Sequence, residues 1–335
     1  MDTQPTGPAA GHPLVSICII TYRHARFIRQ CVEGMLAQEA EFPFEILIGE
    51  DESDDGTREI CLELAAAHPD RVRVLLHRRA DVVLVDGQPR GTHNLVATLA
   101  EARGEFVALC EGDDYWTDPK KLAIQVAYLR ANRDCVGCFH EASMVDADGR
   151  ELQAECLKRS LPNPKPKFDQ RDCLRLMSIY PTCSLLYRRT AFEAPEWYLR
   201  RSCDFFFDLV ITAHGKLGFI DRRMAAYRRH EGGIWSCKPM TLHVVEQIVR
   251  LKHLLNVPFF LTRYREEILA LLAHFQNLLA SAAELQAVRS QLDEQAATIR
   301  KLVADRERLM AFVNKQHALI KSFEQTGVPA PAALS

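Results

Sequence analysis

The amino-acid sequence predicts an α/β protein: a doubly wound, mostly parallel sheet with flanking helices, followed by a C-terminal α-helical extension. Short apolar runs rich in β-branched residues alternate with amphipathic segments over the first 118 residues. Such alternation is typical of a parallel sheet covered by helices on both faces. Strand signals are lost after about residue 241, and an apolar heptad pattern begins near residue 285.

The first strand is predicted at residues 14–20, because this run is almost wholly apolar, as a central strand buried on both faces requires. Apolar residues at helical spacing follow it at Phe27, Cys31 and Met35. The same alternation then predicts a strand at 44–49, a helix carrying Ile60, Leu64 and Ala67, a strand at 72–76, a helix at about 94–102 and a strand at 106–110.

The pattern divides the chain into a disordered N-terminus at 1–13, an α/β domain at 14–240, a helical region at 241–326 with a coiled coil from about 285, and a disordered tail at 327–335. Nine of the twelve a and d heptad positions from Leu285 to Phe323 are apolar, which favours a coiled coil or a long helical hairpin over a solvated helix. We therefore expect a homo-oligomer held by the C-terminal helices.

Charge and composition exclude several classes of protein. The 42 Lys and Arg residues nearly balance the 44 Asp and Glu residues, which argues against a nucleic-acid partner held by counterion release. No apolar run approaches the roughly 18 residues of a membrane span. The N-terminus lacks a signal-like apolar region, and the eleven cysteines lack framework spacing, so we predict a cytoplasmic protein with reduced thiols.

A group of carboxylates directly follows the predicted strand at 106–110, in Glu111-Gly-Asp113-Asp114. In doubly wound sheets, ligands bind beyond the carboxyl ends of the strands. Carboxylate oxygens suit Mg²⁺ or Mn²⁺, which are often shared with substrate phosphates. From spacing alone, a solvated acidic turn remains the alternative.

Three segments, with a fourth further on, resemble a bacterial-type family 2 glycosyltransferase of the GT-A fold. They are Val15-Ser-Ile-Cys-Ile-Ile-Thr21-Tyr22, Glu45-Ile-Leu-Ile-Gly-Glu50-Asp51-Glu-Ser53-Asp-Asp55-Gly-Thr57, Gly104-Glu-Phe-Val-Ala-Leu-Cys-Glu111-Gly-Asp113-Asp114-Tyr-Trp116 and Ala226-Tyr-Arg-Arg-His230-Glu-Gly-Gly-Ile-Trp235-Ser236. The resemblance runs from about residue 14 to 236. It implies nucleotide binding by 14–118 and acceptor binding by 119–240.

The resemblance implies a subsite for the nucleotide. Thr21 and Tyr22 match the loop that packs on uridine, and Asp51 matches the aspartate that accepts a hydrogen bond from uracil N3–H. Arg90 is a candidate contact to the diphosphate. The structural alternatives are a core tyrosine for Tyr22 and a surface arginine for Arg90.

The resemblance also implies a metal subsite. Asp113 matches the metal ligand, and Glu111, where the family usually has aspartate, matches the acid near the ribose. Asp114 either fixes the loop or approaches the sugar. His230 is a metal ligand or diphosphate contact, with a structural histidine as the alternative. The implied cofactor is Mn²⁺ or Mg²⁺.

On the acceptor side, Asp204 matches the general base that deprotonates the acceptor hydroxyl, and Asp208 is the second candidate. A helix N-cap is the structural alternative for Asp204. Three further residues match the sugar or acceptor region: Trp116, Thr182 and, on a lid, Trp235.

Together these features imply inverting transfer of a sugar from a nucleotide-diphosphate sugar, most simply UDP-linked, to a hydroxyl of a glycan or glycolipid. We expect a role in surface glycan synthesis and peripheral association with the inner face of the membrane. One alternative is a catalytically degenerate domain that serves as a coiled-coil scaffold or adaptor. A nucleotidyltransferase is disfavoured, because no glycine-rich loop follows the first strand.

Deleting residues 280–335 should lower the oligomeric state, because it removes the heptads that we expect to pair between chains. Light scattering of the purified protein measures this directly. A chain that ends at residue 326 is the matched control and should keep the full-length mass. An unchanged mass for the longer deletion would contradict the prediction.

Overall fold

The computed structural model describes residues 12–82, 84–85, 88–89, 91–161, 164–201, 203–233 and 239–326. Among these, the residues up to Pro239 together with Leu254–Glu267 form one compact unit. Residues Met240–His253 and those from Ile268 onward form a second unit. The segment Leu254–Glu267 therefore groups with the first unit, beyond the boundary that we predict at 240.

The strands of the first unit are β1 (Val15–Thr21), β2 (Phe44–Glu50), β3 (Val72–Leu76), β4 (Leu84–Val85), β5 (Gln88–Pro89), β6 (Phe106–Glu111), β7 (Tyr115–Trp116), β8 (Cys135–Val145), β9 (Glu151–Gln153), β10 (Lys167–Phe168), β11 (Leu186–Arg188) and β12 (Lys216–Arg228). The helices of the chain are α1 (Ile28–Leu36), α2 (Thr57–Ala67), α3 (Thr92–Ala100), α4 (Lys121–Ala131), α5 (Cys156–Ser160), α6 (Gln170–Leu176), α7 (Glu196–Leu199), α8 (Asp204–Ile211), α9 (Met240–Leu254), α10 (Pro258–Arg263) and α11 (Arg265–Thr326).

The main sheet has the order β10-β12-β8-β11-β6-β1-β2-β3. Strands β6, β1, β2 and β3 pair in parallel, as the sequence predicts for the first half. Strand β11 runs antiparallel between β6 and β8, so the sheet as a whole is mixed. The reason is local: a single 3₁₀ turn, Thr182–Ser184, precedes β11 next to the carboxyl end of β6, and the chain must run back from there.

Strand β1 lies in the middle of the parallel half and is buried on both faces. Ile17 and Ile19 have no exposed surface, and Cys18, which points to the opposite face, is 1% exposed. Helix α1 buries Ile28 and Met35 in the same hydrophobic cluster as Ile17. An almost wholly apolar strand is therefore required at this position, in agreement with the apolar run at 14–20.

A polar network around the buried Glu45 joins the amino ends of β1 and β2. The Ser16 hydroxyl donates to Glu45 Oε1 at 2.7 Å, and Arg103 donates to Glu45 Oε2 at 2.6 Å. Burial acts to raise the pKa of Glu45, but the hydrogen bonds from Arg103 and Ser16 outweigh it and hold the pKa below its usual value. The carboxylate is thus kept charged and paired, and it ties the start of the parallel sheet to the loop before β6.

The C-terminal region is helical, as predicted. Helix α11 contains 62 residues without a break, which corresponds to about 93 Å at 1.5 Å per residue. The hairpin alternative for residues 285–326 is therefore not the arrangement found, while pairing as a coiled coil stays a prediction. Of the helices in the described part of the chain, none combines the length and apolar character needed to cross a bilayer.

Helix α3 packs very closely on β2 at Gly49. The Asn94 amide donates to the Gly49 carbonyl at 2.8 Å, and a Cβ on Gly49 would lie 1.9 Å from Asn94 Oδ1 and 2.2 Å from Thr98 Oγ1. Only glycine leaves room for this contact between helix and strand.

Substituting Gly49→Ala should therefore lower the free energy of unfolding by about 1–3 kcal/mol, because the buried side chains of Asn94 and Thr98 would have to move away from the sheet. Chemical denaturation measures the change. The control is Gly91→Ala, just before the same helix, where the nearest atom to a new Cβ lies 3.9 Å away. Gly91→Ala should lower the free energy of unfolding by less than about 1 kcal/mol. Equal losses of unfolding free energy for the two variants would show that the close contact at Gly49 does not cause the destabilisation.

Candidate active site

Three loops meet at one edge of the parallel sheet. Thr21, the last residue of β1, pairs with Glu50 of β2, and Ile20 pairs with Glu111 of β6. The loops that follow these three strands therefore begin at the same level. The sequence motifs that carry acidic and aromatic residues occupy these loops, so the sheet register brings them together.

Hydrogen bonds tie the loop after β1 to the loop after β2. The Arg23 backbone N–H donates to Ser53 Oγ at 2.9 Å, and the Arg23 guanidinium donates to both carboxylate oxygens of Asp54 at 2.6 Å. The His24 N–H donates to Thr57 Oγ1 at 2.8 Å. Arg23 adopts a left-handed backbone conformation with a φ of 55°, which these contacts hold in place.

The first subsite consists of Tyr22, Asp51 and Arg79. Arg79 Nη1 donates to Asp51 Oδ2 at 2.7 Å, and the Arg79 guanidinium carbon lies 4.1 Å from the centroid of the half-buried Tyr22 ring. Asp51 is 3% exposed, and among the described residues its Oδ1 atom has no hydrogen-bond partner although it is buried. Asp51 thus presents one open acceptor beside an aromatic ring and a fixed cation.

Glu50 holds the loop that carries Asp51. Its carboxylate accepts hydrogen bonds from the backbone N–H groups of Ser53 at 2.7 Å and Glu52 at 3.2 Å, and from the Arg58 guanidinium. Because both oxygens are occupied within the protein, Glu50 orients the loop, and Asp51 is the carboxylate of this pair that keeps an unpaired oxygen among the described residues.

The second subsite consists of Asp113, His230 and His24. His230 Nε2 donates to Asp113 Oδ2 at 2.9 Å, and His24 Nε2 lies 3.8 Å from the same oxygen. One ligand atom from each of the three side chains lies within 4.8 Å of the other two. Since two imidazoles and a carboxylate converge on one small volume, the residues present fit a divalent cation.

The electrostatic setting favours the ligand forms of these groups. Burial acts to raise the pKa of Asp113, but the hydrogen bond from His230 and the nearby His24 outweigh it, so the pKa lies below its usual value. Burial, together with the nearby His230, lowers the pKa of His24, although Asp113 opposes this shift. Asp113 is therefore ionised and His24 neutral at pH 7, which are the forms that bind metals.

Gly112 allows the two halves of this subsite to meet. A Cβ at position 112 would lie 2.5 Å from Thr21 Oγ1 and 2.9 Å from His24 Nδ1. The buried Thr21 hydroxyl itself is hydrogen-bonded to His24 Nδ1 at 3.2 Å. Thr21 therefore lies between the β1 loop and the Glu111-Gly-Asp113 turn and fixes the orientation of His24.

Asp113 lies between the half-buried Glu111 and the buried Asp114. Burial, with the charges of Asp114 and Asp204 nearby, raises the pKa of Glu111 well above its usual value. Glu111 also lines a cavity of about 30 Å³, which is large enough for a water molecule. Asp114 is 2% exposed, and its Oδ1 accepts the backbone N–H of Arg228 at 2.8 Å. Of the two roles considered for Asp114, these contacts favour fixing the loop.

The two acidic residues of α8 lie in different environments. Asp204, the first residue of the helix, is exposed and lines the same cavity as Glu111 and Thr182. Asp208, one turn later, is 3% exposed and accepts a hydrogen bond from the Tyr180 hydroxyl. Burial raises the pKa of Asp208 well above its usual value. Asp204 is therefore exposed at the start of the helix, whereas Asp208 is held inside the protein.

Trp116 lies away from the surface. It is 4% exposed, its Nε1 donates to the Cys183 carbonyl at 3.0 Å, and Lys121 Nζ lies 3.9 Å from the ring centroid. These contacts support the turn that contains the half-buried Thr182, and they leave Trp116 no open face for an acceptor. Two further predicted site residues, Arg90 and Trp235, lie outside the described residues.

Sequence reasoning missed two residues that stand in these subsites, Arg79 and His24. Arg79 lies 28 positions after Asp51 and is brought to it only because β3 pairs with β2. His24 had a local signal, since it follows Thr21 and Tyr22 in a loop already assigned to the nucleotide, but a single histidine there carried no metal pattern by spacing.

Known proteins resemble this chain in sequence. The family model for glycosyl transferase family 2 matches residues 16–194. The uncharacterized protein Rv1520 of Mycobacterium tuberculosis is 35% identical over 233 residues, which cover 66% of this chain and 60% of that protein. An uncharacterized glycosyltransferase of Nostoc, alr2836, is 28% identical over 183 residues, covering 53% of this chain and 52% of its own. The chain thus spans about 60% of the mycobacterial relative's length.

A solved structure supports the fold. The crystal structure of S. aureus TarS residues 1–349 aligns with a TM-score of 0.52 at 17% identity and covers 78% of this chain and 70% of that one. At this identity the likeness concerns the fold alone, and it confirms the predicted GT-A architecture with flanking helices, in which the sheet is mixed rather than mostly parallel. Because the family model also covers more than half of the 335 residues, the chain belongs to glycosyl transferase family 2.

Proposed function

We propose that this protein is an inverting glycosyltransferase that moves a sugar from a UDP-sugar to a hydroxyl acceptor. The observation that carries the proposal is the placement of two subsites side by side at the carboxyl edge of β1. One, at Tyr22 and Asp51, suits a planar base, and the other, at Asp113 and His230, suits a cation. A nucleoside diphosphate is the ligand that requires both.

The open oxygen of Asp51 supports a uracil base. Arg79 already occupies Oδ2, so a base would have to donate a single N–H to Oδ1. Uracil offers N3–H at this edge, whereas cytosine has an unprotonated N3 there. Thymine presents the same imide, and a dTDP-sugar therefore remains the second donor class. In support of UDP, the similarly folded TarS has been crystallised with UDP-GlcNAc and with UDP.

Asp113 and His230 would hold the divalent cation, Mn²⁺ or Mg²⁺, near the diphosphate. When bound, such a cation neutralises charge on the departing nucleotide and orients it. The chain itself keeps Asp113 ionised, because the neighbouring histidines lower the pKa of Asp113. Gly112 lets the turn that carries Asp113 pack closely against Thr21 and His24.

Asp204 is the proposed general base. Its exposed carboxylate lines the cavity shared with Thr182 and Glu111, so an acceptor hydroxyl can reach it. Asp204 takes the hydroxyl proton as the oxygen attacks the anomeric carbon, and the bond to the nucleotide breaks on the opposite side. A single displacement of this kind inverts the configuration at that carbon. The proposed acceptors are glycans or glycolipids, at the membrane surface in the synthesis of surface glycans.

The first test concerns the base subsite. Asp51→Asn should weaken UDP binding by at least about tenfold, because hydrogen bonds to charged groups contribute about 1.5–3 kcal/mol and the amide cannot accept from both Arg79 and uracil. Isothermal titration with UDP and CDP measures the affinity and the discrimination between bases. Asp70→Asn, whose side chain is 77% exposed at the other end of β3, is the matched control. Equal UDP affinity for the Asp51 variant and the wild type would contradict this assignment.

The second test separates the two candidate bases. Asp204→Asn should reduce transfer from a UDP-sugar by at least about a hundredfold, within the usual range for general-base catalysis, and leave UDP affinity nearly unchanged. Asp208→Asn should retain transfer, since its amide oxygen can still accept the Tyr180 hydrogen bond. Product formation from UDP-sugars, with UDP titration alongside, checks both. If Asp208→Asn were the inactive variant, or if Asp204→Asn lost UDP binding, the assignment would be wrong.

A further inference from the structure

We propose that His24 is a third metal ligand, beside Asp113 and His230, and that this donor set makes the site select a first-row transition-metal ion over Mg²⁺. The inference rests on the proposed function only in that it concerns the cation of the same site. It assigns a role to a residue that the sequence motifs left unassigned, and it decides between the two metals considered above.

The geometry points His24 into the site. Its Nε2 lies 3.8 Å from Asp113 Oδ2, the oxygen that also accepts the His230 hydrogen bond at 2.9 Å. The side chains of His24, Asp113 and His230 are only 17%, 16% and 10% exposed, so the three ligand atoms face a sheltered volume.

A second layer of contacts accommodates the tautomer of His24 that a metal ligand needs. Its Nδ1 is 3.2 Å from Thr21 Oγ1, so with the proton on Nδ1 the imidazole donates to Thr21 and leaves the Nε2 lone pair for a cation. Metal-binding histidines commonly have such a partner on the other ring nitrogen. The Thr57 hydroxyl accepts the His24 backbone N–H at 2.8 Å and holds the loop in place. Contacts to both its imidazole and its backbone thus hold His24 in the orientation that a metal ligand would need.

The donor atoms decide the metal. The set offers two imidazole nitrogens and one carboxylate oxygen. Mg²⁺ prefers oxygen ligands and gives up its water reluctantly, whereas imidazole nitrogen suits transition-metal ions. Mn²⁺ binds most weakly among the first-row ions, so it is the most demanding probe of this preference.

The experiment titrates the full-length protein with MnCl₂ in the absence of nucleotide and follows the paramagnetic resonance signal of free Mn²⁺. We expect bound Mn²⁺ to resist displacement by about a tenfold excess of MgCl₂, because each imidazole adds preference for the transition metal. His24→Gln should weaken Mn²⁺ binding by at least about tenfold, which is the loss expected for a disrupted metal site. The same variant should reduce the preference of the site for Mn²⁺ over Mg²⁺. His68→Gln, a partly exposed histidine at the end of α2, is the matched control and should change neither value.

Two results would overturn the inference: displacement of Mn²⁺ by equimolar Mg²⁺ in the wild type, or unchanged Mn²⁺ affinity in a folded His24→Gln variant. Thermal unfolding establishes that the variant is folded, and the wild-type competition needs no variant at all. UDP binding is measured separately on the Mn²⁺-loaded protein. Absence of UDP binding with Mn²⁺ selectivity intact would contradict the proposed function and leave this inference standing. Intact UDP binding together with displacement of Mn²⁺ by equimolar Mg²⁺ would contradict this inference and leave the proposed function standing.

Discussion

The parallel pairing of β1 with β2 on one side and with β6 on the other is the constraint on which the candidate site depends. It sets the ends of three strands at one level, so that the loops after Thr21, Glu50 and Glu111 face one another. Parallel strands require long crossover connections, and these place helices on the faces of the sheet. Burial of β1 on both faces then leaves its carboxyl end as the place where polar groups can meet a ligand.

Once the loops meet, the environment of each carboxylate decides its chemistry. Asp113, whose side chain is 16% exposed, lies beside two histidines, and its lowered pKa keeps it ionised. Asp208 is buried with a tyrosine hydroxyl as its partner, and its pKa is raised. Asp204 is exposed at the start of the same helix. Side chains of one type are thereby separated into a candidate metal ligand, a structural group and a candidate base, through differences in desolvation and nearby charge.

Much of the fold was predictable because the early strands and helices have a local apolar pattern that also matches their burial in the folded protein. The apolar run predicted at 14–20 corresponds to β1 at Val15–Thr21, and the run predicted at 106–110 corresponds to β6 at Phe106–Glu111. The antiparallel β11 was not predictable, since it contains three residues and its direction follows from a turn next to β6. The buried position of Trp116 depends on a hydrogen bond to Cys183, 67 residues away, and has no signal in its own motif.

By itself, the sequence determined the order of the main strands and helices up to Glu111, the strand ends that carry acidic motifs, and the family to which these motifs point. These features are encoded within short windows, where periodicity and turn residues act directly on the backbone. Only the tertiary structure decided that Arg79 occupies one oxygen of Asp51, that His24 faces Asp113, and that Asp208 is buried while Asp204 is exposed. The physical reason is that hydrogen-bond partners and desolvation belong to groups distant in the chain, which meet only when the sheet has formed.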